Sequence, residues 1–76
     1  MKKVVVYSKP SCPQCDATKR RLKKHGIEFE TVDLTQDAES LAKVKSMGHS
    51  SAPVVIVNDG EQHWNGYEPE KIDSLK

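Results

Sequence analysis

The sequence predicts an α/β fold: a mixed four-stranded β-sheet flanked by three helices, in the order β-α-β-α-β-β-α. Three observations predict it. Val4-Val5-Val6 and Val54-Val55-Ile56-Val57 are short β-branched runs of the kind that form buried strands. Between them, apolar residues recur at helical spacing in two separate stretches. After the second run, Asn58-Asp59-Gly60 is a hairpin turn signal that returns the chain antiparallel. A strand–helix–strand opening implies a right-handed crossover between parallel strands, so parallel and antiparallel pairings meet in one sheet.

Lys3 to Tyr7 is the first strand, followed by a loop from Ser8 to Ser11. Pro13 opens the first helix, because proline's missing N–H would be unpaired at that position anyway. The helix is expected to run from Pro13 to His25 and to end at Gly26, which suits a left-handed cap. Cys15, Thr18 and Leu22, with Ala17 beside them, form its modestly apolar face. Ile27, Phe29 and Thr31 alternate with Glu28 and Glu30 and lead to Val32, the period-2 pattern of a second strand. Thr35 or Asp37 is positioned to cap a second helix, whose Ala38, Leu41, Val44 and Met47 keep helical spacing up to Gly48. His49 to Ala52 is a short loop, and Pro53 precedes the third strand, Val54 to Val57. Gln62 to Trp64 is the fourth strand, Asn65-Gly66 a turn, and Pro69 to Leu75 a short terminal helix.

The 76 residues give room for a single domain over 1–76. A domain of this size buries only about 60% of the surface its unfolded chain exposes. Function is therefore expected at a loop or an element end rather than in a deep cavity. Lys and Arg number 12 and Asp and Glu 11, so the net charge of +1 lacks the basic excess of a general nucleic-acid binder. The one basic run, Lys19-Arg20-Arg21-Leu22-Lys23-Lys24, fits a solvated helix face whose last turn complements the helix dipole, with docking to an acidic partner as the lesser reading. No stretch is long enough to span a bilayer, and the apolar run after Met1-Lys2-Lys3 stops too early for a signal peptide, so a cytoplasmic location is expected. In that compartment structural disulfides are rare. Two cysteines three positions apart also close too small a loop to restrict the unfolded chain much.

The chemistry therefore points to Cys12 and Cys15. A Cys-x-x-Cys that follows a first strand and opens the first helix is a redox signature. Cys12 falls at the helix N-terminus, where free N–H groups, the dipole and the upstream Lys9 favour a thiolate, which makes it the nucleophile. Cys15, one turn on and expected to be more buried, is the resolving thiol that attacks the mixed disulfide. Metal binding is the weaker reading. A structural zinc site wants four ligands, only His25, His49 and His63 could supplement the cysteines, and none has zinc-finger spacing.

The segment Tyr7-Ser8-Lys9-Pro10-Ser11-Cys12-Pro13-Gln14-Cys15 resembles a glutaredoxin-type redoxin. Gln14, the following Ala17-Thr18-Lys19, Ala52-Pro53-Val54-Val55 and above all Trp64-Asn65-Gly66-Tyr67-Glu68-Pro69 are closer to the NrdH-redoxins, whose typical motif is Trp-Ser-Gly-Phe-Arg-Pro. The resemblance spans essentially the whole chain. It implies a thioredoxin fold, no cofactor, and electron transfer from thioredoxin reductase to the large subunit of class Ib ribonucleotide reductase by a monomer. It also implies a cis Pro53, with backbone near Ala52 pairing with the incoming polypeptide and Ser51 lining the same groove. Lys9, Pro13, Gln14, Gly66 and Tyr67 join this partner surface. Trp64 has two roles open to it: packing the sheet against the last helix, the larger share, and shaping the partner surface from a loop near the active site. Departures from the pattern are Pro13, where many NrdH-redoxins have Val, the mild changes Asn65 and Tyr67, and Glu68, which reverses the charge of an arginine. The Gly-Gly-x-Asp segment that grips glutathione in glutaredoxins is missing, so weak glutathione binding is expected. A glutathione-dependent glutaredoxin and a zinc or iron–sulfur binder using the same two thiolates are the alternatives.

Overall fold

The computed structural model describes residues 3–75. Its elements are β1 (Val4–Ser8), α1 (Pro13–Lys24), β2 (Glu30–Asp33), α2 (Ala38–Ser46), β3 (Val54–Val57), a 3-10 turn at Asn58–Gly60, β4 (Gln62–Asn65) and α3 (Pro69–Asp73). The sheet order is β2-β1-β3-β4; β1 and β2 run parallel, while the β1–β3 and β3–β4 pairs are antiparallel. This is the mixed sheet that the strand–helix–strand opening and the hairpin together require.

β1 and β3 occupy the centre because every residue on them is buried. Alternation divides their side chains between two cores. On one face Val4, Val6, Val55, Val57 and Trp64 pack against Leu22 of α1 and Ile72 and Leu75 of the C-terminal segment. On the other, Val5, Tyr7, Val54 and Ile56 pack against Leu34 and Val44 of α2. The sheet thus carries α1 and α3 on one side and α2 on the other.

β2 begins later than the alternation of Ile27 to Thr31 suggests. The ladder opens with Val5 opposite Glu30, already inside β1, so Ile27 to Phe29 have almost no strand left to pair with. Ile27 and Phe29 pack against the α1-side core instead, which is what their spacing had been registering. Two other boundaries are settled by side-chain chemistry. Asp37, not Thr35, caps α2, its carboxylate accepting from the Glu39 and Ser40 amides; Thr35 bonds back to Asp33. The β3–β4 turn takes Asn58 and Asp59 through left-handed backbone (φ 51° and 59°), which these short polar residues tolerate.

Candidate active site

The pairing register explains why residues distant in sequence meet. Tyr7 lies opposite Val54, Val54 opposite Asn65, and Tyr7 beside Val32. One end of the sheet therefore gathers the loop after β1, the loop before β3, the turn after β4 and the start of the β2–α2 connection. Lys9 to Cys12, Ser51 to Pro53, Gly66-Tyr67 and Leu34-Thr35 all come from these four segments.

Cys12 is the N-cap of α1, in extended backbone (φ −115°, ψ 99°), and Pro13 takes the first helical position. Its carbonyl accepts the first helical bond from Asp16, and its Sγ accepts the amide N–H of Cys15 at 3.1 Å. Cys12 and Cys15 are joined as a disulfide with Cα atoms 5.2 Å apart. Cys15 is 1% exposed and Cys12 7%, so Cys12 is the outer sulfur although neither stands open to solvent. Thr18 and Leu22 continue the buried face of the helix below Cys15.

Gln14 projects from the same turn and ties the cysteines to the β4 side. Its Oε1 accepts the Tyr67 N–H at 3.3 Å. Gly66, at φ +88°, is required here, because a Cβ would meet Gln14 Oε1 at 3.3 Å in a backbone conformation that side chains rarely adopt. The Gly66 N–H in turn donates to the Pro53 carbonyl at 2.8 Å, and the Ala52–Pro53 bond is cis. Hydrogen bonds thus run from Gln14 through the Gly66-Tyr67 backbone to Pro53.

Asn65 is the residue that sequence reasoning undervalued. Its Nδ2 donates to the Ser51 carbonyl at 2.7 Å, with the Ser51 Oγ at 3.0 Å and the Pro53 carbonyl at 3.3 Å also in reach. It holds the loop before β3 to the end of β4. The only available signal was its place in the Trp64–Pro69 motif.

Lys9, Ser51 and Ala52 line a groove of about 220 Å³ with Leu34, Leu41 and Val44. Leu41, assigned from its spacing to the core face of α2, is instead 36% exposed on this groove. Pro13 and Gln14 are exposed, and Tyr67 is half-buried against the α1-side core. Trp64 does not occupy a loop beside the cysteines. It lies within β4 opposite Val55, 5% exposed and packed in the α1-side core, with the Lys71 ammonium 5.9 Å from the ring centroid. Strand parity turns it away from the face to which His63 and Asn65 point. Its packing role is the one the structure has.

Asp73 of α3 accepts from Arg21 at 2.9 and 2.7 Å and contacts His25 Nε2 at 2.6 Å, locking α3 onto the end of α1. These bonds, Arg21's first, hold the Asp73 carboxyl down to about 2. Among the described residues no three His, Cys, Asp or Glu side chains cluster as metal ligands, and no helix is long and apolar enough to cross a membrane.

Comparison with known proteins agrees with this architecture. The glutaredoxin family model matches residues 4–64. The glutaredoxin-like protein NrdH of Escherichia coli K12 is 32% identical over 73 residues, covering 96% of this chain and 88% of that protein. The NrdH protein of Lactococcus lactis is 35% identical over 72 residues, covering 95% and 97%. The structure of the Escherichia coli NrdH-redoxin, described as having a thioredoxin-like activity profile, superposes with a TM-score of 0.90 at 31% identity, covering 97% of this chain and 95% of that one. With the thioredoxin fold, the disulfide-bonded Cys-Pro-Gln-Cys and these relatives, the chain belongs to the glutaredoxin family as an NrdH-redoxin-like oxidoreductase.

Proposed function

We propose that this protein reduces protein disulfides as a monomeric cytoplasmic dithiol donor. In this reading it draws electrons from thioredoxin reductase and passes them to the large subunit of a class Ib ribonucleotide reductase. The observation that carries it is the Cys12 Sγ at the N-terminus of α1, within 3.1 Å of the Cys15 amide and outside the deeper Cys15. In the reduced protein the same N–H and the helix dipole favour a thiolate at Cys12. That thiolate attacks one sulfur of the client disulfide, forming a mixed disulfide and expelling the other client sulfur as thiolate. Cys15, deprotonated, then attacks the Cys12 sulfur and releases the second client thiolate. The Cys12–Cys15 disulfide is left, and two electrons have moved to the client. Lys9, Ser51 and Ala52 line a groove at the same end of the sheet, and its apolar floor offers room for client side chains.

The surface around the sulfurs supports this choice of electron source. A glutathione site needs groups that hold two carboxylates and the peptide backbone. Lys9 suits one carboxylate, but the segment after β4 presents the exposed anionic Glu68 and no paired glycines. The thioredoxin-like activity profile described for the Escherichia coli relative supports the same choice. The test compares NADPH oxidation through thioredoxin reductase with oxidation through glutathione and glutathione reductase, at matched NADPH and protein. Efficient turnover with the flavoprotein and poor turnover with glutathione is expected. A clear advantage for glutathione would make the protein a glutathione-dependent glutaredoxin.

A further inference from the structure

His49 and His63 play no part in the thiol chemistry, yet the fold brings their rings together. His49 lies in the loop between α2 and β3 and is half-buried; His63 lies on β4, the edge strand, and is exposed. The His49 Nε2 and His63 Nδ1 atoms are 2.8 Å apart, with ring centroids separated by 5.0 Å and planes at 81°. The contact is one of the rungs that tie this loop to β4. His63 and Asn65 share a strand face, and His49 and Ser51 meet them two residues apart.

A 2.8 Å contact between imidazole nitrogens requires that one ring donate its N–H to the lone pair of the other. Burial first, and the neighbouring His63 second, push the His49 imidazole below its ordinary range. We propose that this pair is a two-imidazole site for a divalent late first-row transition ion of the zinc class, seated between His49 Nε2 and His63 Nδ1. Two bonds of about 2.0–2.1 Å in tetrahedral arrangement place the nitrogens about 3.3 Å apart. The observed spacing needs to open by about half an ångström, and the rings, whose nitrogens face each other almost in line, must turn so that their lone pairs converge on the ion. The proton of the donating ring moves to that ring's other nitrogen, which frees both facing lone pairs for the ion. No third His, Cys, Asp or Glu stands close enough to join among the described residues, so water completes the coordination. Nitrogen donors of this kind suit Zn²⁺, Cu²⁺ and Ni²⁺ rather than Mg²⁺ or Ca²⁺. Because His49 also lines the groove beside Ser51 and Ala52, a bound ion fastens one wall of that groove to β4.

The test titrates Zn²⁺ into the disulfide form, in which Cys12 and Cys15 cannot compete as ligands. Calorimetry measures affinity, and amide spectra locate the ion. One Zn²⁺ per chain is expected, with shifts centred on Met47–Ser51 and Gln62–Trp64. His49→Gln and His63→Gln should each weaken binding at least tenfold, while His25→Gln, whose ring is engaged by Asp73, leaves it unchanged. Millimolar Zn²⁺ without effect on the wild-type protein would overturn the proposal. So would unchanged affinity in His63→Gln or shifts centred elsewhere, and both of those read out whether or not catalysis is affected.

Discussion

Asn65 commits its amide to the loop that carries Pro53, donating to the Ser51 and Pro53 carbonyls and accepting from the Ser51 hydroxyl. These bonds are partly solvated, and each such bond contributes about 0.5–1.5 kcal/mol net. Asn65→Ala should therefore lower stability by about 1 kcal/mol, measured by urea unfolding. The loop it fixes lines the groove beside Lys9 and Leu34, where the proposed client would dock. KM for a protein disulfide should thus rise several-fold, while reduction of a small aromatic disulfide changes less than twofold. Equal losses on both substrates would mean that Asn65 acts on Cys12 rather than on docking. Neither this clamp nor the Gln14–Tyr67 bond was legible in the sequence, since both depend on the β3–β4 register that sets Asn65 opposite Val54. Cys12 and Cys15 were legible because everything that makes them reactive is local: a strand end, a helix start and three residues of spacing.

At the scale of elements, the strongly patterned ones could be read directly. The apolar runs of β1 and β3 could be read as buried strands, and Gly26 had to follow α1. What remained hidden was decided by neighbours: the late start of β2 and the exposure of Leu41. α3 shows how a weak element is held. It has five residues and no side-chain cap at Glu68, so propensity alone would not maintain it. Ile72, fully buried, and the Asp73 cluster supply what it lacks. Ile72→Ala should cost about 2–5 kcal/mol, read as a lowered urea midpoint.

The Asp73 cluster gives α3 a pH signature. A carboxyl held at about 2 against an ordinary 3.8 contributes stability that is present above pH 3.8 and lost as pH falls through about 2. Asp73→Asn should therefore lower Tm at pH 5–7, with the gap from wild type closing between about pH 4 and pH 2. A gap that stayed constant over that range would show the effect to be packing rather than the ion pair to Arg21 and the bond to His25.

Across the whole molecule, three layers place all the reactive parts at one end. β1 antiparallel to β3, and β3 to β4, brings the end of β1, the start of β3 and the end of β4 into one row. The loops leaving that row hold Cys12, Pro53 and Gly66. The β-α-β-α-β-β-α order was enough to predict the mixed sheet, because a crossover forces a parallel pair and a hairpin an antiparallel one. The groove's α2 wall, Leu41 and Val44, was not predictable, since it depends on how far α2 lies from β1 and which of its residues the sheet leaves uncovered.

The central claim is that Cys12 attacks a client disulfide and Cys15 resolves it. It is tested most directly by mixing the reduced protein with one equivalent of an oxidised protein client, quenching with acid and measuring intact masses. Wild type should open one client disulfide per chain and return as the Cys12–Cys15 disulfide, Cys12→Ser should leave the client oxidised, and Cys15→Ser should accumulate a mixed disulfide mapped to Cys12. A mixed disulfide mapped to Cys15 in the Cys12→Ser variant, with Cys15→Ser inert, would contradict the account.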